Sequence, residues 1–191
     1  MSAYSTLEQC VNAKSLYVHF PFCETKCHYC DFYSLREERV ASVDRQLLYS
    51  AIEDELASRL PHFIEFKTIF FGGGTPSLVP LETLARVIER LQSVKNFNRS
   101  EFTMEANPSS FKLERFKKLI SLGVNRLSLG VQSIRDDHLK WMGRAHDSTG
   151  AFSAIENAFK AGFKNVSVDR VLQEEEQFLQ TYLKPSILTY L

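Results

Sequence analysis

Ser15-Leu16-Tyr17-Val18-His19-Phe20-Pro21-Phe22-Cys23-Glu24-Thr25-Lys26-Cys27-His28-Tyr29-Cys30-Asp31-Phe32-Tyr33-Ser34 begins as a strand and ends as a thiol-bearing loop. Its first six residues are aromatic and β-branched enough to read as a buried strand. Pro21 has no N–H for a sheet ladder, so the strand is expected to stop there. Three of the four cysteines follow, Cys23, Cys27 and Cys30, spaced C-x3-C-x2-C. Cysteine thiolates hold iron–sulfur clusters, and a four-iron cube bound by three of them keeps one iron open to another ligand. Two other readings of the residues stay open. A zinc site would need a fourth ligand from His28, His19 or Cys10, and the thiols of a reducing compartment can be free and buried.

The rest of the composition narrows the class of protein. The chain has 191 residues, enough for one domain with a substantial core. Lys and Arg total 23, as do Asp and Glu, so no net field favours nucleic acid or an anionic membrane. No apolar run reaches membrane-spanning length. The start, Met1-Ser2-Ala3-Tyr4-Ser5, lacks the basic and apolar regions of a signal peptide. Clustered cysteines without such a signal lead to a cytoplasmic location, where thiols stay reduced. Cys10, outside the cluster, reads as incidental.

Outward from the cysteines, strand and helix patterns alternate. Residues 1–14 read as a polar lead-in. Residues 39–60 read as an amphipathic helix, stopped by Pro61, with Val43, Leu47, Leu48, Ala51, Ile52, Leu56 and Leu60 as its buried face. Residues 67–71 make the second strand, which runs into Gly72-Gly73-Gly74-Thr75-Pro76-Ser77. Pro80 opens a helix bearing Leu81, Leu84, Val87, Ile88 and Leu91. Glu101–Ala106 is the third strand, and Asn107-Pro108-Ser109-Ser110 turns into a helix through Phe111, Phe116, Leu119, Ile120 and Leu122, ended by Gly123. Residues 126–131 are the fourth strand, 136–142 and 148–161 two helices, the latter ended by Gly162, and 164–169 the fifth strand.

This alternation predicts an α/β fold, a parallel sheet with right-handed crossovers. Ligands on such sheets collect beyond the C-terminal ends of the strands. That edge carries the cysteine loop, then the glycines, Glu105 with Asn107, Gln132 with Ser133, and Asp169. A solvated loop accounts for any one of these junctions, but five on one edge point to a site. The glycine run lets a ligand approach backbone closely. It lacks the lysine of a P-loop and the spacing of a dinucleotide fingerprint, which argues against phosphate.

The cysteine spacing resembles the signature of the radical S-adenosylmethionine (SAM) enzymes, and Phe71–Ser77 closely resembles their HemN/HemW family, named for oxygen-independent coproporphyrinogen dehydrogenase and its relatives. The resemblance covers residues 15–169 and implies a partial (β/α) barrel of about five βα units with the last unit or units missing. It implies a [4Fe–4S] cluster on Cys23, Cys27 and Cys30, with SAM chelated to the open iron. It further implies that the turn holding Gly73, Gly74 and Thr75 contacts the amino group of SAM. Tyr17 matches a tyrosine beside SAM and the cluster, Tyr29 an aromatic near the adenine, and Glu105 the carboxylate on the ribose. Gln132, Arg144 and Asp169 match further SAM-binding positions. Read alone, Tyr17 is a core aromatic, Glu105 an exposed strand-end charge and Arg144 a surface ion-pair residue. His138 and His146 stand as candidate haem ligands beside the reading that they are solvated loop histidines.

Two departures from the family's pattern select a branch. The dehydrogenases carry a further cysteine where this chain has Phe32, and a long N-terminal arm where it has a short lead-in. Both departures, with Cys30-Asp31-Phe32-Tyr33-Ser34, resemble the HemW-like branch of haem chaperones. The resemblance therefore implies a haem-handling role, with haem, a haem acceptor protein and an electron donor as partners. The alternatives are oxidative decarboxylation of coproporphyrinogen III, and an inactive fragment holding zinc or no metal. After Asp169 the family's sequence is replaced by an atypical tail, residues 170–191, which looks like a truncation or frameshift. There Phe178, Leu179, Leu183, Ile187 and Leu188 read as partial apolar cover, interrupted by Pro185.

Overall fold

Side chains alternate across a strand, so the period of two in each strand decides what the two faces of the sheet carry. The computed structural model describes residues 14–62, 65–110 and 112–170. Its main sheet contains β1 (Ser15–Phe20), β2 (Thr68–Gly73), β3 (Glu101–Ala106), β4 (Arg126–Gln132) and β5 (Asn165–Arg170), all parallel and in chain order. The connecting helices are α1 (Ser42–Arg59), α2 (Leu81–Leu91), α3 (Leu113–Leu122), α4 (Asp136–Trp141) and α5 (Ser148–Ala161). Sequential strands joined by right-handed crossovers keep their helices on one face. Accordingly α1 packs on α2, α2 on α3, and α3 on α5. The predicted parallel α/β architecture and partial barrel are present.

The helix-covered face is apolar. Phe20, Ile69, Phe71, Phe102, Met104, Leu127 and Leu129 are fully buried there. Its centre is an aromatic run across the first three strands, with Phe20 to Phe71 centroids 5.2 Å apart and Phe71 to Phe102 centroids 4.8 Å apart. On the other face the alternate positions are Tyr17, Phe70, Thr103, Glu105, Ser128 and Asp169. That face is concave and polar, and it leads up to the strand ends.

Several boundaries differ from the sequence reading. Strand β2 continues through Gly72 and Gly73 because both pair with β1, opposite His19 and Phe20. Strand β4 extends to Gln132, which pairs with Arg170 beyond an irregularity after Leu129. Helix α1 starts at Ser42, after a 3₁₀ turn at Glu37–Arg39.

The buried face of α1 is also a correction. Tyr49, Glu53 and Leu56 are buried, while Val43 and Leu47 are exposed, as is Ala51. Tyr49 packs edge-on against Phe22, and Glu53 pairs with Arg86 and Arg90 of α2 at 3.0 and 3.7 Å. An aromatic and an ion pair, rather than the densest aliphatic stripe, orient this helix. Gly123 and Gly162 end α3 and α5 in left-handed conformations, as their positions predicted. Cys10, Phe111 and the apolar residues of the tail lie outside the described residues.

Candidate functional site

The cysteine loop is closed at its base by a second, small sheet. The two-residue strands Phe22–Cys23 and Leu35–Arg36 pair in parallel, and Leu35 N–H donates to the Pro21 carbonyl at 2.7 Å. Lys26 braces the loop from within, its Nζ donating to Phe32 O at 2.7 Å and to Ser34 Oγ at 3.0 Å. Ser109, beyond β3, donates to Glu24 Oε2 at 2.7 Å. The turn after α4 latches the far side. Thr25 Oγ1 donates to Gly143 O at 3.3 Å, and His28 N–H to Met142 O at 3.4 Å. Cys23 and Cys27 are buried and Cys30 half-buried, all with free thiols.

These thiols line one wall of a cavity of about 350 Å³ at the C-terminal ends of the strands. Tyr29, Gly73, Gly74 and Thr75 line it too, and so do Glu105, Gln132, Arg144 and Asp169. Among the described residues no three His, Cys, Asp or Glu side chains converge on one metal-ion position. Neither His28 nor His19 completes a zinc tetrahedron with the thiols.

Tyr17 is the one predicted site residue not in the cavity wall. It lies on the same concave face but lower on β1, paired with Phe70 in register and stacked on its ring at 5.9 Å. Its ring and the Glu105 carboxylate both flank Gly72, where a Cβ would stand 2.9 Å from Tyr17 Cε2 and 3.1 Å from Glu105 Oε2.

Asn107, placed on this edge with Glu105 from sequence but given no role, lines the cavity, and so do Lys26, Ser128 and Gly130, which the sequence reading did not single out. Their signal was their place at or beside strand ends, which Asn107 shares with Glu105. Asn107 Oδ1 accepts from Arg144 Nη2 at 2.5 Å, and the Gly130 carbonyl accepts from the same nitrogen at 2.6 Å. So fixed, Arg144 directs Nη1 to Cys27 Sγ at 3.2 Å, while its buried Nε has no partner. A half-buried guanidinium with an unspent donor suits an anionic ligand. Ser128 Oγ lies 2.8 Å and 2.9 Å from the two carboxylate oxygens of Asp169.

The glycine run exposes acceptors rather than donors. Gly73 N–H donates to Glu105 Oε2 at 3.0 Å, Gly74 N–H to Phe20 O at 2.8 Å, and Thr75 N–H to Phe22 O at 2.7 Å. Three consecutive amides are thus spent inside the protein, and no anion nest remains. Glycine is required here for space as well, since a Cβ on Gly74 would stand 2.6 Å from the Phe22 carbonyl oxygen. Gln132 adopts φ 69°, a left-handed conformation that non-glycine residues seldom take outside functional sites.

Burial sets the protonation of the cavity. It raises the Glu105 carboxyl to about 7, with the Gly73 amide pulling it down and Asp169 adding to the rise. Burial likewise raises Asp169, against the pull of Ser128 and Arg126. Tyr29 is pushed to about 12, chiefly by burial. With its pKa near 7, the Glu105 carboxyl can donate as well as accept, which suits a neutral polyhydroxylated ligand. His146 is buried, hydrogen-bonded through Nε2 to the Val131 carbonyl at 3.1 Å, and lowered to about 4 by burial and then by Arg144. Its other nitrogen, Nδ1, is buried without a partner and so out of reach of a haem iron. His138 is half-buried, with Nδ1 at 3.4 Å from Ser133 Oγ.

Comparisons with known proteins agree with this geometry. The family model described as the Radical SAM superfamily matches residues 17–177. The heme chaperone HemW of Bacillus subtilis is 40% identical over 184 residues, 93% of this chain and 47% of the relative. A mitochondrial radical S-adenosyl methionine domain-containing protein 1 of Bos taurus is 38% identical over 89% of this chain and 38% of the relative. Among solved structures, coproporphyrinogen III oxidase (HemN) from Escherichia coli, titled a radical SAM enzyme, superposes with a TM-score of 0.76 at 28% identity. That match covers 95% of this chain and 45% of the other. The chain spans about half the length, or less, of these relatives.

Proposed function

This chain belongs to the radical SAM superfamily, and we propose that Cys23, Cys27 and Cys30 hold a [4Fe–4S] cluster whose open iron takes SAM, in a HemW-like protein that handles haem. The observation that carries the reading is the single cavity onto which the three thiols and the polar ends of β2 to β5 open. Its donor set fits both groups. Thiolates suit iron, backbone acceptors at the amide-spent glycine run suit the SAM ammonium, and Arg144 suits its carboxylate. Glu105 and Asp169, raised by burial, suit a ribose diol. Gln132 and Tyr29 complete the pocket, with Tyr29 placed for the adenine. Tyr17 joins the site from below, through its approach to Glu105.

Held by these thiols and reduced, such a cluster would supply the single electron for reductive cleavage of the SAM sulfonium, with methionine as the leaving group. The chain's own residues would grip SAM by both ends, and the latches on the cysteine loop hold its thiols at the cavity wall. Among the described residues no helix is long and apolar enough to cross a membrane. A reducing cytoplasm would keep the thiols available, with an electron donor and a haem acceptor protein as partners. Coproporphyrinogen III should not be decarboxylated, because Phe32 stands at the cavity where the dehydrogenases have cysteine. Product formed with SAM and a reductant would overturn that exclusion.

Anaerobic reconstitution with iron and sulfide tests the cluster and SAM reading. Cys23→Ala, Cys27→Ala and Cys30→Ala should each lose iron, Cys10→Ala should retain it, and SAM should change the EPR signal of the reduced cluster. Glu105→Ala should keep its iron but bind SAM more weakly by about 1–3 kcal/mol. No response to SAM in the wild type would sink the proposal.

A further inference from the structure

His28 sits between two cavity-lining residues, Cys27 and Tyr29, yet it is not part of the cavity wall. Its ring instead packs over Gly143, with Cε1 and Nε2 each 3.5 Å from where that glycine's Cβ would stand. Gly143 has φ 72°, a conformation that favours glycine and so keeps the seat clear of a side chain. The Nδ1 atom lies 3.0 Å from the Trp141 carbonyl oxygen. A carbonyl only accepts, so Nδ1 carries the proton and Nε2 presents its lone pair. His28 is exposed, and Trp141 beside it is 72% exposed, a large apolar ring in water.

We propose that His28 Nε2 is an axial ligand for haem iron, with the porphyrin lying along Trp141 on the outer face of the cysteine loop. This rests on the haem-handling reading above and names the residue that would carry it. An imidazole anchored through one nitrogen to a backbone carbonyl, with the other bare, is how ligating histidines are oriented in metal sites. A porphyrin also needs an apolar surface beside its ligand, and Trp141 supplies one. Lys140, exposed at the preceding position, offers a cation to a propionate.

The other histidines do not combine these features. His19 has both ring nitrogens engaged, by Tyr17 Oη at 3.0 Å and Tyr33 O at 2.9 Å. His146 is buried, His138 has Nδ1 within reach of Ser133 Oγ, and His62 lies at the opposite end of α1 from the loop.

Titration of the 191-residue protein with ferric protoporphyrin IX, followed in the Soret and visible bands, tests the assignment. His28→Ala should lose the imidazole-ligated bands and bind about tenfold more weakly or worse, and added imidazole should restore the bands. Trp141→Ala should weaken ferric and metal-free protoporphyrin alike, whereas His28→Ala should weaken only the ferric form. Matching thermal melts of His28→Ala and wild type exclude a folding defect. If wild type binds ferric haem and His28→Ala keeps its spectrum and affinity, the ligand assignment falls while the haem reading stands. If wild type binds no ferric haem, both fall.

Discussion

Glu105 and His146 carry opposite pH dependences. The folded pKa of Glu105 is raised from 4.5 to about 7. The folded state therefore holds that proton more tightly, and the group's contribution is complete below pH 4.5 and lost as pH rises towards 7. His146 is lowered from 6.5 to about 4, so its neutral form is favoured on folding and stability grows between pH 4 and 6.5. In the wild type the two trends oppose each other. Glu105→Gln removes the first and leaves the second. Relative to wild type, the variant should gain up to about 3 kcal/mol between pH 4.5 and 7. Urea unfolding across that range measures it, and parallel curves for the two proteins would mean that the carboxyl is solvated.

At the scale of elements, α1 offers a direct comparison of its two candidate faces. Leu56 is 5% exposed and Leu47 63% exposed, although both sit on one apolar pattern. Leu56→Ala should cost about 2–5 kcal/mol, and Leu47→Ala less than about 0.5. Equal losses in denaturant titrations would restore the aliphatic face and contradict the observed one. The end of β4 poses a different balance. A left-handed Gln132 is strained by about 1–2 kcal/mol, while glycine there brings a backbone-entropy penalty of about 0.5–1. Gln132→Gly should thus leave stability unchanged or raise it by up to about 1.5 kcal/mol, and Gln132→Val, β-branched at φ 69°, should lower it clearly. A large loss in the glycine variant would mean that the amide side chain, and not the backbone, holds this strand end.

For the whole molecule, the core and the cysteine loop are separable. The largest fully buried side chains belong to the strands and the helices that cover them, and the loop is held by its own small sheet, by Lys26 and by the latches from Ser109 and the α4 turn. A structural metal site that supplied the folding energy would leave the metal-free chain unfolded. Here the metal-free protein should melt cooperatively. Hydrogen exchange should find β2, β3 and β4 strongly protected with or without cluster, and residues 24–34 slowed only after reconstitution. Central strands that exchange freely in the metal-free protein would show that the fold depends on the cluster.

Much of this was legible in the chain itself. The strand cores, the glycine stops after α3 and α5, and the gathering of thiols, Glu105, Gln132 and Asp169 at one edge follow from short-range periodicity. That is because strand alternation and helix capping are local. Orientation and partnership were not legible. Tyr17 sits below the cavity because register with Phe70, and not its distance from Cys23, sets its height on β1. The face of α1 was decided by Glu53 meeting Arg86 and Arg90 from another helix. Arg144 reaches Cys27 only because Asn107 and Gly130, from two different strand ends, hold it there. Such contacts join residues far apart in the chain, so they depend on the packing of the whole sheet, which no local pattern encodes.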